Sequence, residues 1–280
     1  VLFAEEISLS PSSLLRRLPL RTTLTLATAA LLAAASLLLT APAHAAVNYV
    51  ALGDSYSSGL GAGSYSGGSC SRSSKAYPQL WDNAHVPASF SFVACAGATT
   101  TDVTNSQLSA LSASTTLISI TIGGNDVGFS GVMETCVLGS TNDCVNAVNQ
   151  AESLANTQLP GELDSLFAGI SAHAPNATVV VLGYPEFYDL AKSSTCIGLS
   201  TTDRTHLNQG ADVLDTQVQA AAGRHGFRYA DVRAAFTGHE ICDSSSWLNS
   251  VDWFDLTASY HPTAAGQSGA YYPVFNSAAG

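Results

Sequence analysis

Three short segments carry side chains that could act together on an acyl group. Gly53-Asp54-Ser55-Tyr56-Ser57-Ser58-Gly59 follows the apolar run 49–52. A strand that stops at glycine and turns sharply leaves Ser55 at the sheet's carboxyl edge, where N–H groups of a following helix can face a reacting oxyanion. Gly123-Gly124-Asn125-Asp126 follows the strand-like run 117–122 and brings the Asn125 amide to the same edge. Ser259-Tyr260-His261-Pro262-Thr263 places a histidine before an Ala- and Gly-rich helical stretch. A serine hydroxyl is a weak nucleophile until an adjacent base takes its proton, and the charge that grows on the attacked carbonyl needs donors aimed at it. Ser55, His261 and Asn125 are the residue types for those tasks. No G-x-S-x-G occurs, which argues against the nucleophile elbow of α/β-hydrolases. His239-Glu240 is not followed by x-x-His, so it is no zinc-protease motif, and neither metal nor cofactor is expected. Asp54 and Asp126 fit turn or capping positions better than a pair of acid and base carboxylates.

The elements that must hold these segments are legible as apolar runs at 49–52, 90–93, 117–122, 178–182 and 227–232, separated by helix-length stretches. That alternation predicts an α/β chain: a three-layer α/β/α sandwich around a central, mostly parallel five-stranded sheet. Helices are expected over 146–173, closed by Ala174-Pro175, over 202–224, closed by His225-Gly226, and from Thr263 onward. The motif segments fall where strands end, and open α/β sheets bind ligands at those carboxyl ends. A Ser- and Gly-rich loop over 61–74 should lie beside Ser55. Tyr184, Phe187, Tyr188, Trp253 and Phe254 could line an acyl-binding cleft or pack in the core.

In the order of these segments the chain resembles the SGNH, or GDSL, family of serine esterases and lipases, and most of all its secreted actinobacterial lipases and phospholipases. The resemblance runs over nearly all of the chain after residue 46. It implies the SGNH hydrolase fold, Ser55 as nucleophile and His261 as base. It also implies an oxyanion hole of the Ser55 N–H, the Gly97 N–H in Cys95-Ala96-Gly97-Ala98-Thr99, and the Asn125 amide. The family usually places an aspartate three residues before the histidine, but Ala258 stands there. A backbone carbonyl can fix the imidazole tautomer as a carboxylate does, without a full charge, and the C=O of Ser259 is the candidate. Asp252 and Asp255 lie a few residues upstream as alternatives. Six cysteines, Cys70, Cys95, Cys136, Cys144, Cys196 and Cys242, contain no C-x-x-C pair and read as disulfides rather than a metal site. The resemblance implies that they pair in sequence order.

Composition bounds the rest. Arg16, Arg17 and Arg21 precede an uncharged run over 22–40, and Ala43-His44-Ala45 reads as a small-x-small cleavage site. This predicts a secretory signal peptide over 1–45 and one catalytic domain over 46–280, although a run of that length could also anchor in a bilayer. Without Arg16, Arg17, Arg21, Glu5 and Glu6, 7 basic and 19 acidic side chains remain, a net charge of −12. Nucleic acid is excluded as a partner, and contact with a lipid substrate would have to be apolar and local. The expectation is a secreted, extracellular bacterial monomer that hydrolyses carboxylic esters of lipids through an acyl-enzyme. Phospholipase A1 or acyltransferase action, a carbohydrate acetyl esterase, and an inactive binding protein of the same fold are the alternatives.

Overall fold

The computed structural model describes residues 46–192 and 196–280, so the leader read at 1–45 lies outside the described residues. Five strands form the central sheet: β1 (Asn48–Ala51), β2 (Ser89–Phe92), β3 (Leu117–Ile120), β4 (Thr178–Leu182) and β5 (Arg228–Ala230). Every pairing between them is parallel, in the order β2-β1-β3-β4-β5. All four residues of β3 are buried, as are the last four of β4, as expected for strands covered on both faces. β4 matches its apolar run, β1 and β2 have the length of theirs but begin and end one residue earlier, and β3 and β5 are two and three residues shorter.

The main helices are α1 (Ser55–Ser58), α2 (Tyr77–His85), α3 (Phe129–Leu138), α4 (Thr141–Thr157), α5 (Leu159–His173), α6 (Thr201–Arg224) and α7 (Tyr272–Ala279). One layer contains α7, packed on α2 and on β4 and β5; α4, α5 and α6 pack together, with α6 against β4 and β5. The helix expected over 146–173 is two helices. Pro160 lacks an N–H and would clash with the carbonyl four residues back, so α4 stops at Thr157 and α5 restarts with Pro160 in its first turn. Ser140 and Ser200 begin α4 and α6 with capping boxes closed by Asp143 and Asp203. Within the 61–74 loop, Tyr65–Ser66 and Arg72–Ser73 pair as a small antiparallel ribbon.

The strand order reverses at β1, which opens a crevice between the carboxyl ends of β1 and β3. Ser55 follows β1, Gly97 lies five residues after β2, and Asn125 lies five residues after β3. Three disulfides, Cys70–Cys95, Cys136–Cys144 and Cys196–Cys242, bridge the loops and helix ends around this edge, and no described cysteine is free.

Candidate active site

Gly53 makes the turn that carries Ser55. Its φ of +120° is one that side-chain-bearing residues avoid, and a Cβ there would lie 2.4 Å from the Thr121 carbonyl oxygen. The buried amide of Gln107 holds the turn from both sides: its Oε1 accepts from Gly53 N–H at 2.8 Å and its Nε2 donates to Gly53 C=O at 2.9 Å. Asp54 caps α1 by accepting from Tyr56 N–H at 3.0 Å, and also accepts from the Thr121 hydroxyl at 2.6 Å and the Tyr184 hydroxyl at 2.5 Å. Burial pushes the Asp54 carboxyl up to about 6 against the pull of these donors. It is a cap, as its position after the strand suggests. Ser55 is the first residue of α1, so its N–H has no acceptor within the helix.

His261 reaches this turn from the far end of the sequence. Its Nε2 lies 2.8 Å from Ser55 Oγ and its Nδ1 lies 3.0 Å from the Ser259 carbonyl oxygen. Nδ1–H donating to that carbonyl leaves the Nε2 lone pair free to accept a hydrogen bond from the Ser55 hydroxyl. Neither Asp252 nor Asp255 bonds the imidazole. Asp252 Oδ1 accepts from Phe254 N–H, and Asp255 Oδ1 accepts from Ala258 N–H and the Thr257 hydroxyl. Ser55 and His261 are 7% and 8% exposed. Burial pulls the imidazole down to about 4, opposed chiefly by the bond to Ser259 and by the charge of Asp255.

The residue between Ser259 and His261 is strained. Tyr260 has φ +64°, in the left-handed region that tyrosine rarely enters, at a cost of roughly 1–2 kcal/mol. Three contacts hold it. The Tyr56 hydroxyl donates to Tyr260 C=O at 2.7 Å, Tyr260 N–H donates to Asn249 C=O at 2.9 Å, and the Tyr188 and Tyr260 hydroxyls are 3.0 Å apart. Asn249 Nδ2 also donates to His261 C=O at 3.0 Å and to Gly61 C=O at 3.1 Å.

Gly97 and Asn125 complete the edge. Gly97 has φ +81°, is exposed, and its N–H has no acceptor among the described residues. One Asn125 amide hydrogen goes to Ala98 C=O at 3.0 Å, while the side chain also faces the cleft. Asp126 ties the Gly97 segment to the Asn125 loop by accepting from Thr100 N–H at 3.0 Å and the Thr100 hydroxyl at 2.7 Å. The Cys70–Cys95 bridge and the bond from Ala96 N–H to Cys70 C=O hold the other side of Gly97.

Ser55, Gly97, Asn125, Ser259 and His261 therefore share one cleft of about 540 Å³, whose apolar walls include Leu60, Phe129, Met133 and Val137. Among the described residues Glu134 is its only lining carboxylate, and no Lys or Arg lines it. Tyr184, Phe187 and Tyr188 are core residues, whereas Trp253 and Phe254 stand out in solvent, Trp253 on the cleft wall. No group of three or more His, Cys, Asp or Glu side chains among the described residues is arranged to hold a metal ion. Tyr56, Gln107 and Asn249 are the site residues to which sequence reasoning gave no role, whereas Gly61 opens the Ser- and Gly-rich loop expected beside Ser55.

Residues 51–268 match the model of the GDSL-like lipase/acylhydrolase family. The chain belongs to that family. Lipase 1 of Streptomyces coelicolor is 54% identical over 91% of this chain and 96% of its own length. The crystal structure of phospholipase A1 from Streptomyces albidoflavus is similar with a TM-score of 0.81 and 56% identity, covering 83% of this chain and 99% of that one. An extracellular lipase from Streptomyces rimosus matches with the same TM-score at 48% identity, over 83% of this chain and all of that structure. The chain is accordingly a GDSL ester hydrolase.

Proposed function

We propose that residues 46–280 form a secreted serine esterase acting on carboxylic esters of lipids, and that residues 1–45 are the leader that exports it. Ser55 Oγ attacks the ester carbonyl while His261 Nε2 takes its proton. The bond from Ser55 to the carbonyl carbon forms as the carbonyl π pair moves to oxygen, and that oxyanion is met by the Ser55 and Gly97 N–H groups and the Asn125 amide. Collapse expels the alcohol, which takes the proton back from His261. Water then attacks the acyl-enzyme with His261 again as base, releasing the acid and restoring Ser55. The observation that carries this reading is the 2.8 Å contact between His261 Nε2 and Ser55 Oγ, inside a cleft shared with Gly97 and Asn125.

The apolar walls favour an acyl chain over an acetylated sugar. The similarity to a phospholipase A1 over 99% of that solved chain favours phospholipid as a second substrate of the same site. The test is hydrolysis of p-nitrophenyl butyrate and palmitate by the wild type and by Ser55→Ala, with a chelator present. The expected result is turnover by the wild type alone, unaffected by chelator. Equal inactivity of two folded proteins on these esters and on phosphatidylcholine would overturn the reading.

A further inference from the structure

The mouth of the cleft is apolar and uncovered. Phe254 is fully exposed, and Trp253, Leu256 and Leu138 are 64%, 59% and 65% exposed. Trp253, Leu256 and Leu138 also line the cleft that holds Ser55, so this patch continues directly into the site. Three of the four sit at the tip of one loop whose base is fastened. Leu248 bridges Pro262, Asn249 N–H donates to His261 C=O at 3.0 Å, and Tyr260 N–H donates to Asn249 C=O at 2.9 Å. The loop thus carries apolar side chains at its tip and His261 at its foot.

We propose that Trp253, Phe254 and Leu256 dock the enzyme on the surface of a net-neutral lipid aggregate, with Leu138 as the opposite apolar edge. The inference rests on the serine-esterase reading above. Four observations select this occupant. Large exposed apolar clusters mark interaction surfaces. A protein partner seated here would cap the cleft that admits substrate, whereas a lipid surface would present ester to it. Asp252 and Asp255 in the loop, Glu134 in the cleft and a net charge of −12 over residues 46–280 repel anionic headgroups and select uncharged or zwitterionic ones. Finally, a tryptophan beside a fully exposed phenylalanine and a largely exposed leucine is a side-chain set suited to the boundary between water and acyl chains.

Docking is measured by flotation with phosphatidylcholine vesicles, using Ser55→Ala so that the vesicles stay intact. Adding Phe254→Ser should weaken partitioning about tenfold or more, since it removes one large apolar side chain from the contact. In the active protein the same substitution should slow hydrolysis of aggregated p-nitrophenyl palmitate by a similar factor. It should leave dissolved p-nitrophenyl butyrate unchanged, because Phe254 does not line the cleft, and that rate also reports folding. Unchanged flotation, binding to phosphatidylglycerol vesicles as tight as to phosphatidylcholine, or a dimer on gel filtration that Phe254→Ser dissolves would each overturn the proposal. Failure of the wild type on butyrate and palmitate would count against the esterase reading instead, while flotation would still decide docking.

Discussion

Lowering the pH should spare activity much further than an ordinary histidine base allows. On the proposed mechanism His261 must be neutral to accept the Ser55 proton, and burial pulls it down to about 4 from a usual value near 6.5. At pH 5 an ordinary imidazole would be about 3% neutral, and one titrating near 4 about 90%, a difference of roughly 30-fold in kcat/KM. Stability must be separated from this. A histidine whose folded value is depressed takes up a proton first in the unfolded chain, so its contribution, about 3 kcal/mol, is present above pH 6.5 and lost as pH falls toward 4. Asp54 runs the other way. Its folded value of about 6 lies above the unfolded one, so the folded chain gains a proton first and this group stabilises as pH falls from 6 to 4, by a similar amount. Asp215, buried and raised to about 7, acts with Asp54. Carboxylates held below their usual value, such as Asp231 beside Arg233, lose their contribution only below the ordinary carboxylate range. The acid limb should therefore be read on folded protein. The assay is kcat/KM for p-nitrophenyl butyrate from pH 3.5 to 8 at constant ionic strength, with circular dichroism at each pH. A limb centred between pH 3 and 5 with an intact spectrum is expected. A limb near 6.5 on folded protein would refute the claim that the site is desolvated and lacks a carboxylate partner.

Asp252→Ala and Asp255→Ala should each retain most of kcat, since neither carboxylate touches the imidazole; a loss near the ~10⁴ of a neutralised triad aspartate would make that residue the orienter. Asn125→Ala should lower kcat by ~10²–10³ with little change in KM, as removal of one oxyanion donor does, and an unchanged kcat would take Asn125 out of the hole. Gly61→Ala places a Cβ 2.8 Å from His261 Cβ at a φ of +91°, so denaturant titration should show a loss of roughly 1–3 kcal/mol accompanied by lower kcat. A stable and fully active variant would show that the loop simply moves aside.

What the sequence made legible was local. Apolar runs marked all five strands, four of them next to a glycine, and the motif segments fell at strand ends because a parallel sheet puts every such end on one edge. The single helix read over 146–173 failed at Pro160, where a backbone constraint interrupts an otherwise continuous pattern. The aromatic residues failed differently. Tyr184 and Phe187 follow a strand and Trp253 and Phe254 lie in a loop, and nothing within either segment says which pair the core receives. Asn249 contacts Gly61 across 188 positions, and Tyr56 contacts Tyr260 across 204. Contacts at such separations exist only once the sheet has assembled, so no local pattern can announce them.

Ala258 is the instructive departure. Read as sequence, it says only that a carboxylate is missing three residues before His261. In the structure that absence, the strained tyrosine and the depressed imidazole form one arrangement. Ser259 can turn its carbonyl to Nδ1 because Tyr260 adopts a left-handed backbone, and Tyr260 stays there because Tyr56 and Asn249 bind its two peptide groups. A carbonyl fixes the tautomer but brings only a partial charge, so the Ser259 bond and the charge of Asp255, which does not bond the ring, offset only part of the desolvation of an imidazolium. On the proposed mechanism His261 therefore stays neutral in acid, at the cost of weaker proton affinity when Ser55 attacks. A carboxylate at residue 258 within reach of Nδ1 would reverse both effects, raising the imidazole toward its usual value and narrowing the acid range.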